Sequence, residues 1–199
     1  MGYVSLDEAK NFLGIGTNDD DELLANLIGV AQNLVEGYCG RVFAASAPTT
    51  RRFDCAYPTV SDRGQVLHLD GDLARVTEVV NGNGEVMPDD TYVTLPEDGP
   101  FFALALRLSS GKVWTFVDDR EQALQVTGYW AYGRWDGDAG VVVPPDAVVH
   151  ATKEILGWLY RSYDRSLSGE GSAPDTTRGG IPLPPVAVAL LEVFRRVSR

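Results

Sequence analysis

Residues 6–41 place the strongest constraint on the fold, because their apolar side chains recur at the three- and four-residue spacing of amphipathic helices. Ser5 and Glu8 have the spacing of a capping box, which predicts the start of a first helix, and Gly14 predicts its end. Short helices gain most of their stability by burying an apolar face against a partner. The N-terminal part of the chain therefore predicts a helical bundle.

An acidic stretch, residues 18–22, places negative charge where a second helix would expose its positive dipole end. The apolar stripe of this second helix is wider than one small neighbour could cover. Its members are Leu23, Leu24, Leu27, Ile28, Val30, Ala31, Leu34, Val35 and Tyr38. Gly37 and Gly40 predict its end, so residues 1–50 are expected to form a helical pair that needs several packing partners.

Residues 51–132 change to a strand pattern. Short alternating or β-branched runs, divided by Gly, Asn, Asp and Ser, predict an inserted antiparallel β-rich module. The runs are QVLHLDGD, ARVTEVVNGNGEV, TYVTL, FALALRLSSGKVWTF and QALQVTGYWAYG. Two segments within them, NGNG at residues 81–84 and SSGK at residues 109–112, are typical of hairpin turns because such residues tolerate positive φ angles.

A third helix is predicted from about Pro145, over residues 144–164, since a proline pair fixes the first turn and a wide apolar stripe follows. Residues 165–185 are rich in Gly, Ser, Pro and Asp and predict a linker. Residues 186–199 predict a short helix that needs another surface, on its own body or on another subunit. The sequence thus predicts an α+β fold: a body over residues 1–164, in which a helical bundle carries the β-rich insertion, and a C-terminal extension that ends in a short helix.

The composition narrows the classes of protein that this chain can represent. With 28 Asp and Glu against 17 Lys and Arg, the net charge of -11 argues against a general binder of DNA phosphates. No apolar run approaches the roughly 18 residues of a membrane span, and the N-terminus does not resemble a signal peptide, so we expect a soluble intracellular protein. Cys39 and Cys55 are expected to be reduced, structural thiols.

The residues that could carry chemistry do not form a recognisable set. His68 and His150 lie far apart, and neither has the partners that a metal or catalytic site requires. The DGD segments at residues 70–72 and 136–138 lack EF-hand spacing and are typical of turns, and residues 118–121 are interpreted as a solvated loop. The sequence therefore predicts no catalytic, metal or cofactor site. A small β-rich hydrolase stays open as an alternative of another class, and it would require a pocket with perturbed acid and base groups.

Four segments carry a resemblance to a known family. They are YVSLDEAKNFLGI, DDDELLANLIGVAQNLVEGYCGR, QVTGYWAYG and VPPDAVVHATKEILGWLYRSYD. In these segments, and most strongly over residues 3–43 and 125–164, the chain resembles the head-to-tail connector, or head-completion adaptor, proteins of tailed phages and gene transfer agents. The strands of residues 51–116 match that family only in kind. A stopper or tail-completion protein of the same neck region stays open as an alternative.

The resemblance implies a structural virion protein that catalyses no reaction and needs no cofactor. Its copies are expected to form a ring, of about twelve where the portal is twelve-fold, through heterologous contacts between neighbours. The ring would lie beneath the portal protein and above the stopper or tail-terminator protein, at the head-tail junction of a virion assembled in the host cytoplasm. Double-stranded DNA would pass through it without sequence-specific binding, along an acidic wall that repels the phosphates, and no membrane is involved.

The resemblance also implies that the C-terminal segment reaches the portal. The residues expected to contact the portal are Val186, Leu190, Leu191, Phe194, Arg195, Arg196 and Arg199. The arginines would equally favour the negative end of their own helix. The residues expected to form ring contacts are Tyr38, Arg41, Trp130, Tyr132 and Trp135. For the aromatic members of this second set, packing in the core of the same chain and packing at a subunit interface both stay open.

Overall fold

The computed structural model describes residues 2–61, 63–167 and 183–196. The chain forms two compact units. The helical unit combines Gly2–Arg41 with the described part of Pro144–Arg199, and the β unit is formed by Val42–Val143. This division confirms the predicted α+β class, in which an antiparallel β-rich module is inserted into the sequence of a helical bundle.

The helical unit contains four α-helices and one short 3-10 helix among the described residues. They are α1 (Leu6–Leu13), α2 (Asp21–Cys39), α3 (Asp146–Leu167), α4 (Pro185–Leu191) and the 3-10 turn Glu192–Phe194. The predicted capping box starts α1: the Ser5 hydroxyl accepts from the Glu8 amide at 3.2 Å, and the Glu8 carboxylate accepts from the Ser5 amide at 2.9 Å. Gly14 and Gly40 end α1 and α2 in the left-handed conformation, as predicted.

One prediction about α2 is wrong, and another is confirmed. Gly37 lies inside the helix and does not end it, because burial of the apolar face outweighs the cost of about 1 kcal/mol for an interior glycine. The acidic stretch lies at the start of α2 as predicted, with Asp21 and Glu22 in the first turn, although no side chain caps the helix. Asp21 also pairs with Lys10 at 2.7 Å, and Asp20 accepts a hydrogen bond from the Tyr160 hydroxyl at 2.6 Å. These carboxylates therefore tie α2 to α1 and α3.

The wide stripe of α2 packs mainly against α3, and α3 packs in turn against α4. The fully buried side chains of this core are Leu24, Ala31, Val35, Val148, Ala151, Ile155, Leu156, Ala187 and Leu191. Thr152 is also buried, and its hydroxyl donates to the Val148 carbonyl at 2.8 Å. The helices of this unit thus bury most of their apolar surface against one another.

The β unit contains two three-stranded antiparallel sheets and a hairpin. The strands are β1 (Thr49–Phe53), β2 (Val66–Leu73), β3 (Arg75–Val80), β4 (Tyr92–Leu95), β5 (Phe101–Leu106), β6 (Leu124–Tyr129), β7 (Arg134–Asp136) and β8 (Val141–Val143). The sheet orders are β1-β6-β3 and β2-β5-β4, and β7 pairs with β8. One apolar cluster joins the sheets, with Phe53, Leu67, Leu73, Val79, Leu104, Leu124, Val126 and Trp130 among its members.

The limits of the strand region differ from the prediction. Strands begin at Thr49 and continue through the β7–β8 hairpin, so the predicted range of residues 51–132 was too short at both ends. The NGNG turn is confirmed, since the backbone bonds Asn81 N to Glu85 O and Met87 N to Val79 O, both 2.8 Å, close a hairpin. The SSGK segment is instead a 3-10 turn that ends at Gly111, and no strand follows it in residues 112–123.

The C-terminal elements also begin and end at other residues than predicted. Helix α3 extends to Leu167, so residues 165–167 belong to a helix and not to the predicted linker. Residues 168–182 of that linker lie outside the described residues. Helix α4 starts at Pro185 and packs on α3, so the surface that this short helix needs is supplied within its own unit.

Candidate assembly surfaces

The segment expected to contact the portal is anchored on the end of α2. The Arg196 amide donates to the Cys39 carbonyl at 2.8 Å, and the Arg41 Nε donates to the Phe194 carbonyl at 2.8 Å. The Cys39 thiol faces the Leu191 carbonyl at 3.9 Å. Arg41, predicted as a ring contact, therefore has an internal role as well: it holds the C-terminal segment in place.

Tyr38 adds a polar contact to the same anchor. Its hydroxyl donates to the Glu192 carboxylate at 2.5 Å, and the Arg195 guanidinium lies 5.7 Å from the centre of its ring. The carboxylate disfavours the phenolate, so the hydrogen bond to Glu192 raises the pKa of Tyr38. Burial raises the pKa of the Cys39 thiol to about 11, which keeps it protonated and unreactive at neutral pH. These raised pKa values indicate that Tyr38 and Cys39 have a structural role here and that neither side chain is an activated nucleophile.

The residues predicted to contact the portal divide by exposure. Val186, Arg195 and Arg196 are exposed, while Leu190 and Phe194 are half-buried. Leu191 is fully buried in its own unit, which corrects the expectation that it contacts the portal. Arg199 lies outside the described residues. Val193 was not predicted, although it is 79% exposed; its position off the apolar stripe was the available signal.

Trp130 belongs to the core of the β unit and not to an exposed ring contact. It is 6% exposed, its ring lies 5.9 Å from that of Phe53, and its indole N–H donates to the Thr49 carbonyl at 2.9 Å. The Arg51 guanidinium covers the ring at 4.3 Å. Of the two alternatives left open for Trp130, the structure shows packing in the core of its own chain, and little of the side chain is left for a ring contact.

Tyr132 and Trp135 are both half-buried. Tyr132 meets Phe43 edge-on with ring centres 6.0 Å apart, and Trp135 packs on Tyr129 with ring centres 4.4 Å apart. Part of the Trp135 side chain also lines a cavity. Of the aromatic pair, Trp135 therefore combines internal packing with a place on an open surface.

That cavity, of about 640 Å³, lies beside the edges of two sheets and is called the β3–β4 groove below. Its wall includes Arg75, Val76, Tyr92, Phe101, Arg107 and Trp135, together with the carboxylates of Asp89 and Glu97. Strands β3 and β4 are each the last strand of their sheet. Burial and the neighbouring Asp89 carboxylate, which accepts from the Tyr92 hydroxyl at 3.0 Å, raise the pKa of Tyr92 well above its usual value. Tyr92 therefore acts as a neutral hydrogen-bond donor in the wall of the groove.

An exposed apolar segment, residues 113–117, is a second open surface of the β unit and is called the 113–117 segment below. Val113 and Val117 are 64% and 68% exposed, and Phe116 is also exposed. Trp114 points inward and donates from its indole N–H to the Gln65 carbonyl at 3.1 Å. The sequence reading assigned these residues to a strand, so their exposure was missed.

The residues singled out for possible metal or acid–base chemistry are separated in space or bound in turns. His150 lies 3.7 Å from Glu154, and His68 is exposed on β2. In the two DGD segments, Asp70 pairs with Arg51 at 2.8 Å, and Asp136 accepts from the amides of residues 138 and 139. Over residues 2–61, 63–167 and 183–196, no cluster of three or more His, Cys, Asp or Glu side chains could hold a metal ion. In the same described residues, no helix combines the length and the apolar character that crossing a membrane requires.

The comparisons with known proteins agree with the resemblance found in the sequence. Residues 3–64 match the family model described as phage gp6-like head-tail connector protein. This match covers α1 and α2 and confirms the predicted resemblance to head-tail connector proteins. No curated protein matches the chain.

Two solved structures resemble the whole chain in fold. One is a chain in the neck of an empty gene transfer agent (GTA) particle computed with C6 symmetry; it is 18% identical, the TM-score is 0.57, and the match covers 99% of this chain and 91% of that one. The other is a chain in the virion of a native GTA particle; it is 16% identical, the TM-score is 0.56, and the coverage is again 99% and 91%. At these identities the likeness shows a shared fold.

Proposed function

We propose that the protein is a structural adaptor at the head-tail junction of a tailed phage or gene transfer agent. The observation that carries this proposal is the match of residues 3–64 to the head-tail connector family. The likeness in fold to chains of GTA particles, one of them in the neck, supports it over nearly the full length of the chain. The adaptor would join head to tail mechanically, without catalysing a reaction and without a cofactor.

The adaptor would act as a closed ring of about twelve copies. The neck of the GTA particle was computed with C6 symmetry, and a ring of twelve obeys that symmetry. A ring subunit needs apolar surface that its own chain does not cover, and the exposed Val113, Phe116 and Val117 of the 113–117 segment provide such surface. Many small contacts around a closed ring then add up to a stable assembly.

The exposed part of the C-terminal segment is the surface proposed to bind the portal. Val186, Val193, Arg195 and Arg196 face outward, and the anchor of this segment on α2 fixes them on a rigid base. The arginines would meet acidic groups of the portal. The chain as a whole is acidic, with a net charge of -11, which suits a channel that repels passing double-stranded DNA and leaves it free to move. A stopper or tail-terminator protein would bind the opposite side of the ring.

A binding assay with immobilised portal protein tests this proposal. Removing the whole C-terminal helix would expose the core, so surface substitutions are sharper: Val193→Asp should weaken portal binding by about tenfold or more, as expected for a central contact. Val30→Asp, at an exposed position on α2, is the matched control and should bind as the wild type does. Equal portal binding by all three proteins would contradict the docking proposal. Binding to the adaptor of a related neck, and not to the portal, would instead indicate a stopper.

A further inference from the structure

The β unit carries two unpartnered surfaces that differ in shape and do not overlap. The 113–117 segment exposes the side chains of Val113, Phe116 and Val117, and the β3–β4 groove is a cavity. Phe116 pairs with Gly82, beyond the end of β3, whereas Arg75 starts that strand, so the two sites are separated by about 20 Å along the strand. Two different, non-overlapping surfaces on one chain are what a head-to-tail contact between neighbouring copies requires.

We propose that the 113–117 segment of one copy docks in the β3–β4 groove of the next copy. The inference rests on the proposed ring and names the surfaces that would close it. Val113, Phe116 and Val117 would cover the apolar part of the groove wall, which Val76, Phe101 and Trp135 help to form. The occupant is therefore a second copy of this chain.

Charge supports a second copy as the occupant. The 113–117 segment is followed at once by two exposed carboxylates, Asp118 and Asp119. The groove contains Arg75 and Arg107, and within the described residues neither arginine forms an ion pair. The groove wall also contains the carboxylates of Asp89, which accepts from the Tyr92 hydroxyl, and Glu97. Since neither arginine is bound to them, both can form ion pairs with Asp118 and Asp119 of a second copy.

The 113–117 segment is held rigidly before any partner arrives. Asn81 is 2% exposed, and its side-chain amide donates to the Val113 carbonyl at 2.9 Å while its side-chain oxygen accepts from the Thr115 amide at 3.0 Å. Trp114 also anchors the segment, because its indole N–H donates to the Gln65 carbonyl. A surface loop that is fixed in this way loses little conformational entropy on binding, so its exposed apolar side chains can contribute more to affinity.

Strand edges give the groove a second means of recognition. β4 is the edge strand of its sheet, and the hairpin bond from the Met87 amide to the Val79 carbonyl lies at the far end of β3 from Arg75, so the groove ends of both strands present backbone groups to an incoming extended segment. Residues 112–115 have no helical or strand assignment in their own unit, and the Trp114 backbone, which lies between the Val113 and Thr115 groups that bond to Asn81, can supply the docking contact. The docked segment would then combine apolar contact, ion pairs and backbone hydrogen bonds.

Two complementary variants test the contact directly. The segment variant, Val113→Asp with Val117→Asp, keeps a normal groove, and the groove variant, Arg75→Glu with Arg107→Glu, keeps a normal segment. Each variant alone should self-associate at least about tenfold more weakly than the wild type in sedimentation velocity and native mass spectrometry. Mixed together, they should form a one-to-one dimer that cannot grow, because only one functional contact remains. Phe102→Asp, whose position on β5 is exposed, is the control and should assemble as the wild type does.

Several results would overturn the inference. They are a mixture of the two folded variants that stays monomeric, variants that assemble as the wild type does, and a wild-type chain that stays monomeric at the highest concentrations. Circular dichroism checks the folding of each variant, and the milder pair Val117→Ser and Arg107→Gln replaces any variant that unfolds. Localisation of the wild-type chain in particles is an independent measurement, so the proposed function can stand if this contact fails.

Discussion

The starts and ends of the helices and the pairing of the strands are specified by different kinds of interaction. In the helical unit, the caps of α1 and α2 and the stripe on α2 follow from residues a few positions apart in sequence. In the β unit, the decisive contacts join distant residues: Asn81 to Thr115, Trp130 to Thr49, and Gly128 to Arg75. The first kind of interaction can be predicted from residues that are close in sequence, whereas the second kind depends on how the strands pair.

Replacing a glycine by alanine should have opposite effects on stability in the two units. Gly128 lies in β6 between β1 and β3, and a Cβ there would come 2.2 Å from the Arg75 carbonyl oxygen. We expect Gly128→Ala to lower the free energy of unfolding by about 3 kcal/mol, because the strands must separate. Gly29 in α2 has no atom within 4 Å of such a Cβ, so Gly29→Ala should raise the stability by about 0.5–1 kcal/mol. Urea unfolding measures both, and a neutral Gly128→Ala would contradict the strand packing.

A buried amide provides the next test of the β unit. Asn81→Ala removes the acceptor of the Gly82 and Thr115 amides and the donor to the Val113 carbonyl, so we expect a loss of about 2 kcal/mol. Asn83, two residues along the same turn, is exposed and accepts from the Glu85 amide at 3.1 Å. Asn83→Ala is the control and should lose only a few tenths of a kcal/mol in the same urea titration. Equal losses would show that the 113–117 segment does not depend on Asn81.

The N-terminal cap of α1 provides a test of the helical unit. Ser5→Ala removes the hydroxyl that accepts from the Glu8 amide, and we expect a loss of about 1 kcal/mol. The capping bond from the Ser5 amide also lowers the pKa of Glu8. The stabilising contribution of Glu8 is therefore present above its unfolded pKa and is lost as the pH falls through the lower, folded pKa. Ser162→Ala, which removes a hydroxyl inside α3, should change thermal stability by less than about 0.5 kcal/mol. A Ser5 variant as stable as this control would refute the capping box.

The last prediction concerns the pH dependence that Cys39 contributes, which is absent near neutral pH. Burial raises the pKa of its thiol from 9.0 to about 11, so the unfolded chain loses this proton first as the pH rises. The stability that the neutral thiol contributes is complete below pH 9 and falls between pH 9 and 11. Because Cys39→Ala has no thiol to titrate, its stability should fall less steeply with pH in this range. Thermal unfolding from pH 7 to pH 11 measures this difference. If the stabilities of the wild type and Cys39→Ala fell equally steeply with pH, burial would not raise the pKa of this thiol.

The sequence predicted the helical elements well because caps and stripes are local. Ser5, Glu8, Gly14 and Gly40 have the expected roles. The acidic stretch also lies at the start of α2, whereas Gly37 does not end the helix, because packing of α2 on α3 overrides the preference of a glycine. The NGNG turn was also local enough to predict, whereas the SSGK segment has the same turn chemistry without a partner strand after it.

The surfaces were harder to predict than the elements. The β3–β4 groove collects Arg75, Tyr92 and Trp135, which lie far apart in sequence, so no short pattern could reveal it. Phe116 is exposed in a segment whose neighbouring Thr115 amide donates to Asn81, a residue of another turn. Leu191 and Trp130 were assigned to interfaces because they are large and apolar, and both are buried within the chain. Composition along an element indicates that a side chain packs, and only the fold determines against what.

The other proposals depend on the ring that copies of this chain are proposed to form between portal and tail. The decisive measurement is a cryo-EM reconstruction of the neck of assembled particles, with this chain identified by a fused tag. We expect a closed ring of copies of this chain between the portal and the next neck protein. A neck that lacks the tagged chain, or that contains it as an isolated single copy, would refute the adaptor ring.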